Sequence, residues 1–159
     1  MSESLPEVGA PAPEFTVATN TGDTISLADF KGKENVVLFF YPKADTPGCT
    51  IEACNFRDNL ARFKAEGTAV LGISADPVKK QAKFAEKHSF TYPLLADVDH
   101  AIADAYGVWK EKSFMGRKYM GIERATFLID KEGVVRKVFP KVSIPGHSDA
   151  VLAAIKEIS

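Results

Sequence analysis

Cysteine is scarce in this chain, with two among 159 residues. That is too few for a disulfide scaffold, and in a cytosolic protein such a pair points to catalysis, redox chemistry or metal binding. No apolar run approaches the ~20 residues that a membrane-spanning helix needs. Charge of neither sign dominates: 20 Lys and Arg stand against 21 Asp and Glu. That balance gives no reason to expect nucleic acid or a membrane surface as partner. The stretch Met1-Ser2-Glu3-Ser4-Leu5-Pro6-Glu7 is acidic and lacks both a basic start and an apolar centre. It does not read as a secretory signal, and a cytoplasmic location is expected. No repeat, low-complexity tract or linker divides the sequence, so one domain over 1–159 is expected. What is present is 45% hydrophobic and 26% charged, the make-up of a soluble globular protein with a substantial core.

Periodicity supplies the elements. Val8 to Leu27 is rich in Pro, Thr and Gly, with Thr21-Gly22-Asp23 as a turn between short strands. Asn35-Val36-Val37-Leu38-Phe39-Phe40-Tyr41 reads as a buried strand. From Thr50 to Lys64, the spacing of Ala53, Phe56, Leu60 and Phe63 predicts one amphipathic helix. A strand follows at 68–74, then a helix that Pro77 opens and that runs to about His88. A short strand near Pro93–Ala96 and a short helix from Asp99 to Tyr106 come next. Residues 125–130 and 134–139 read as a hairpin about Lys131-Glu132-Gly133. Ser148 is expected to cap a last helix with Val151, Leu152, Ile155 and Ile158 inward. Alternating strands and helices, closed by a hairpin and a helix, predict an α/β fold: a central mixed sheet with helices on both faces.

Both cysteines fall in Thr46-Pro47-Gly48-Cys49-Thr50-Ile51-Glu52-Ala53-Cys54, directly after the buried strand. A thiol in the first turn of a helix sits among unpaired N–H groups at the positive end of the helix dipole, which favours thiolate. At ~100° per residue, Cys49 projects within about 40° of Ala53, Phe56, Leu60 and Phe63, so it points coreward. Cys54 is rotated by roughly 140° from it, with the two Cα atoms ~8.6 Å apart in an intact helix. A disulfide needs less than ~7 Å, so the pair bonds only if the helix start unwinds. Three readings compete: inert buried cysteines, metal binding, and redox or nucleophilic catalysis. Pro42, Thr46, Pro47 and Gly48 shape a loop around the sulfur and argue against inertness. His88, His100 and His147 lack a zinc-like spacing. A cysteine hydrolase would want a positioned histidine, and a dithiol reductase would want Cys-x-x-Cys. A thiolate that attacks an oxidant, becomes sulfenic acid and is captured by a second thiol fits what remains.

Pro42-x-x-x-Thr46-x-x-Cys49 resembles the active-site motif of the peroxiredoxins. The longer run from Phe40-Tyr41-Pro42-Lys43 to Phe56-Arg57-Asp58 is similar to the bacterioferritin comigratory protein branch, also called peroxiredoxin Q. Gly9-Ala10-Pro11-Ala12-Pro13-Glu14-Phe15, Gly121-Ile122-Glu123-Arg124-Ala125-Thr126-Phe127-Leu128-Ile129-Asp130 and Gly146-His147 extend the likeness over nearly the whole chain. The resemblance implies a thioredoxin-like three-layer fold with an amino-terminal β-hairpin extension. It implies Cys49 as peroxidatic and Cys54 as resolving cysteine, Thr46 and Arg124 as polar partners of Cys49, and Pro42 as shield of the pocket. It further implies a monomer that reduces hydrogen peroxide and organic hydroperoxides, is recycled by thioredoxin, and needs no metal, flavin or haem. A thioredoxin-like module that senses peroxide and relays the oxidation to a partner protein is the alternative.

A thiol of pKa ~8.5 is about 3% ionised at pH 7 and one of pKa ~6 is roughly 90% ionised, a gain of ~30-fold. Nucleophilicity falls with pKa at a slope of about 0.45, which costs roughly 13-fold over the same interval. Thiol acidity alone therefore explains little, and the larger effect must lie in donors aimed at the breaking O–O bond. Arg124 suits that task because its guanidinium stays charged and offers several fixed donors. The Thr46 hydroxyl could accept the peroxide proton, and could also cap the helix. Glu52 is assigned only a favourable place near the helix dipole. Trp109, Phe114 and Tyr119 are expected to pack or flank the site, and His147 to be structural.

Overall fold

The computed structural model describes residues 5–158, so the reading at Met1–Ser4 lies outside the described residues. In chain order, β1 (Thr16–Ala18) and β2 (Thr24–Ser26) pair antiparallel as the expected amino-terminal hairpin. Then come β3 (Asn35–Phe40), α1 (Pro47–Asp58), α2 (Leu60–Ala65), β4 (Thr68–Ser74), α3 (Val78–His88), β5 (Leu94–Ala96) and α4 (Ala101–Ala105). The chain ends with β6 (Trp109–Phe114), β7 (Arg117–Ile122), β8 (Ala125–Ile129), β9 (Val135–Pro140) and α5 (His147–Ile158).

Every residue of β3 is buried, which a strand achieves only inside a sheet covered on both faces. The five-stranded sheet has the order β5-β4-β3-β8-β9. Strands β3, β4 and β5 run parallel, and β8 and β9 are antiparallel to their neighbours. Side-chain alternation along β3 builds two cores. Val37, Phe39 and Tyr41 meet Phe56, Phe63, Phe84 and Val151 from α1, α2, α3 and α5. Val36, Leu38 and Phe40 meet Ile102 and Ala103 of α4, with Phe15 and Leu27 of the amino-terminal segment. The chain thus has the mixed sheet with helices on both faces that its pattern predicts. Among the described residues, no helix is long and apolar enough to cross a membrane.

Three local expectations are corrected. The helix expected over Thr50–Lys64 is two helices: it begins at Pro47 and breaks at Asn59, whose φ and ψ are −104° and 7°. The Asn59 amide reaches back to the Asn55 carbonyl at 3.0 Å and across to Ser148 Oγ at 3.1 Å, a side-chain competition with helix continuation. Helix α5 starts at His147, so Ser148 lies inside its first turn rather than before it. The β6–β7 hairpin was not expected at all. Its Met115-Gly116 turn has two consecutive positive φ angles, 51° and 82°, as a two-residue hairpin turn matching strand twist requires.

Gly72 in β4 lies in close packing. A Cβ there would fall 2.8 Å from Phe39 Cζ and 2.9 Å from Leu94 Cδ2. Gly72→Ala is therefore expected to destabilise the protein by about 1–3 kcal/mol through overpacking, measured as a lowered urea midpoint. An unchanged midpoint would show that the two side chains yield freely.

Candidate active site

The sheet register builds the site. Phe40 at the end of β3 pairs with Ala125 at the start of β8, so Arg124 lands beside the segment where the chain leaves β3. Strand β3 is parallel to β4 on one side and antiparallel to β8 on the other. The carboxyl end of such a strand is the crevice where α/β sheets place their chemistry. The loop from Pro42 to Thr46 crosses that crevice. Asp76 accepts from the Ala44 N–H at 2.7 Å, and Asp45, at φ 62°, accepts from Lys87 Nζ at 3.2 Å. Aspartate is among the few residues that tolerate a left-handed backbone. Lys87 also holds the exposed Asp45 carboxyl below its ordinary range. Pro47 then opens α1, where its missing N–H costs nothing.

Cys49 sits in the first turn of α1 and is 1% exposed. Arg124 Nη2 donates to Cys49 Sγ at 3.3 Å, and Arg124 Nη1 donates to Glu52 Oε1 at 2.6 Å. The Glu52 side chain is also 1% exposed, and its Oε2 has no hydrogen-bond partner. Burial pushes the Glu52 pKa up to about 7, against the pull of Arg124. Burial works against the Arg124 charge too, but Glu52 and Cys49 more than offset it and its pKa stays raised. Gly48 lies alongside: a Cβ there would be 3.4 Å from Arg124 Nη2 and 3.5 Å from Ile144 Cδ1.

A family model described as AhpC/TSA family matches residues 8–138. The chain belongs to the AhpC/TSA family. It is 50% identical over 149 residues to the putative peroxiredoxin bcp of Coxiella burnetii, covering 94% of this chain and 98% of that protein. It is 46% identical over 151 residues to peroxiredoxin Bcp of Escherichia coli K12, covering 95% and 96%. A solved bacterioferritin comigratory protein of Xanthomonas campestris superposes with a TM-score of 0.87 at 38% identity, covering 97% and 98%. The chain is thus a peroxiredoxin of the Bcp, or peroxiredoxin Q, branch with the thioredoxin-like fold of that branch, and its activity is that of a thiol-dependent peroxidase.

In this peroxiredoxin the five residues singled out from sequence are placed unequally. Cys49 and Arg124 touch. Thr46 takes the N-cap position but caps nothing with its side chain; its hydroxyl donates to the Lys43 carbonyl at 2.8 Å. No hydrogen bond joins it to Cys49 among the described residues. Pro42 is half-buried just after Tyr41. Cys54 is half-buried further along the unbroken α1, and both thiols are free. His147 is buried, with Nε2 2.8 Å from Thr126 Oγ1, and burial and then Arg124 lower its pKa to about 4. It is a neutral packing residue near neutral pH. Trp109 stacks on His100, while Phe114 and Tyr119 are largely exposed on the hairpin. Among the described residues, no cluster of three or more His, Cys, Asp or Glu side chains is arranged to hold a metal ion.

Glu52 is the residue that sequence reasoning undervalued. Its signal was available: three residues after Cys49, it shares the inward face with Ala53 and Phe56, where a carboxylate needs a partner. Between pH 4.5 and 7 the unfolded chain releases this proton before the folded one, so its contribution to stability falls as pH rises through that window. Glu52→Gln removes the slope. The variant is expected to gain on the wild type from pH 4.5 to 7 by no more than about 3 kcal/mol, read from urea midpoints. A pH-independent difference would show that Glu52 ionises as it does in water.

Proposed function

We propose that Cys49 is the attacking thiolate of this peroxidase and that Cys54 resolves it. The reading is carried by Arg124 Nη2 standing 3.3 Å from a buried cysteine sulfur at a helix start. The thiolate attacks the outer peroxide oxygen; an S–O bond forms as the O–O bond breaks. The departing oxygen takes a proton and leaves as water or an alcohol. Arg124 spans sulfur and substrate, and Glu52 fixes its other arm, so the donor is in place before charge develops. The Thr46 proton is committed to Lys43, so the hydroxyl presents lone pairs that accept from the peroxide O–H. Pro42 walls the pocket without adding a donor.

The Cys54 thiol then displaces hydroxide from the Cys49 sulfenic acid; water leaves and a disulfide forms. The intact α1 opposes this, so its first turns unwind, and the Tyr92 hydroxyl must release the Ala53 carbonyl it holds at 2.7 Å. An external dithiol, thioredoxin, restores both thiols. Hydrogen peroxide and organic hydroperoxides are the substrates; the Xanthomonas campestris relative is described for alkyl peroxide reduction activity, which supports the organic class. The protein works as a monomer in the cytoplasm.

Cys49→Ser is expected to abolish turnover. Cys54→Ser keeps one peroxide attack and loses recycling by thioredoxin; full thioredoxin-driven turnover in that variant would remove Cys54 from the resolving role. One equivalent of peroxide is expected to remove two hydrogens from the wild type, with Cys49 and Cys54 in one linked peptide by mass spectrometry. Arg124→Ala is expected to slow peroxide attack by roughly 10²–10³-fold, as loss of an oxyanion donor does. Stopped-flow rates that match the wild type once corrected for ionisation would refute that role.

A further inference from the structure

Lys112 lies on β6 opposite Tyr119, one diagonal step from Gly121 of β7. A Cβ at Gly121 would come within 3.3 Å of Lys112 Cδ and 3.4 Å of the Tyr119 ring. The bare glycine lets the lysine stem lie across the hairpin instead of pointing into solvent. Its ammonium then donates to the Ile122 carbonyl at 2.7 Å. Ile122 is two residues, ~7 Å of extended chain, from Arg124. On the next residue, the Glu123 N–H donates to the Val108 carbonyl at 2.8 Å. The junction from β7 to β8, which carries Arg124, is thereby held at two successive residues.

We propose that Lys112 is a positioning residue of this site: it pins the junction that aims Arg124 at Cys49. The electrostatics agree. Partial burial and the nearby Arg124 charge both lower the Lys112 pKa, as expected of a lysine folded back toward the junction. The sequence conceals this role because Lys112 sits in a polar strand, Lys110-Glu111-Lys112-Ser113, that reads as an exposed loop.

The proposal rests on Cys49 being the attacking thiol, but its test does not. In a Cys54→Ser background Cys49 is the single thiol, and its alkylation by anionic iodoacetate and by neutral iodoacetamide can be compared. Lys112→Met and Lys112→Gln are expected to lower the iodoacetate-to-iodoacetamide rate ratio by roughly three- to tenfold, the effect of letting the Arg124 charge drift from contact with the sulfur. Lys112→Arg is expected to keep the ratio, and high salt to compress it in the wild type. A general loosening of the fold that leaves Arg124 on the sulfur changes both rates together and leaves the ratio alone. The peroxide attack rate is expected to fall in Lys112→Met and to recover in Lys112→Arg. A ratio unmoved in both neutral variants, or not kept by arginine, overturns the proposal even if peroxide is consumed normally. A moved ratio in a protein that does not consume peroxide would sustain Lys112 and sink the assignment of Cys49 instead.

Discussion

The bifurcated contact of Arg124 is the interaction on which the site depends. One arm of its guanidinium reaches the Cys49 sulfur and the other a carboxylate sealed from water. Arg124 is partly buried, its side chain 17% exposed, and a charge drawn out of water gains from an anion beside it. Glu52, ionised as pH rises past about 7, supplies it from the same helix that carries the sulfur, one turn away. Helix and strand junction are thereby tied together at Cys49 and Glu52. His147 shows the reach of that charge: burial and Arg124 keep it neutral, so it packs against Phe56 and Phe139 as an aromatic disc instead of competing as a cation.

The same helix imposes a conflict. It buries Cys49 and aims its uncapped N–H groups at the pocket, yet while intact it keeps Cys54 on another face. The ties along it are graded by position. Tyr92 holds Ala53, between the cysteines, by one hydrogen bond. Beyond Cys54, Arg57 donates to the His88 carbonyl at 2.8 Å and Asn59 to Ser148 Oγ at 3.1 Å. Freeing the first turns gives up the Tyr92 bond, worth about 1 kcal/mol net, and the Arg124 contacts to Glu52 and Cys49 as well, while the far end stays anchored. The break at Asn59, which a single long helix would lack, contributes one of those anchors.

Much of this was legible because it rests on short-range chemistry. The unbroken burial of β3 and the period-3.6 face of α1 follow from the order of apolar residues, and the Pro42-to-Cys49 motif carried the family likeness. Other features depend on partners distant in sequence. Arg124 meets Cys49 only through the antiparallel register of β8 on β3, which no local pattern specifies. Thr46 looked like a helix cap, but its hydroxyl found the Lys43 carbonyl in a loop whose path is set by Asp76 and Lys87. The β6–β7 hairpin escaped notice because its strands are polar and its turn begins with Met115, a residue with no turn preference.

The absence of a side chain at Gly48 ties these threads together. Pro47 brings no donor of its own, Gly48 brings no bulk, and a Cβ at Gly48 would meet the guanidinium of Arg124 at 3.4 Å. The helix start and the arginine thus both bring N–H groups to the side of the sulfur. A peroxide is itself both donor and acceptor, and in the proposed scheme its proton goes toward Thr46 and its oxygens toward Arg124. Lysine in place of Arg124 would offer a point charge and no fork, and could not hold Glu52 and Cys49 at once in this fixed geometry. In that scheme selectivity for the O–O bond comes from the arrangement of donors, with thiol acidity a lesser part of it.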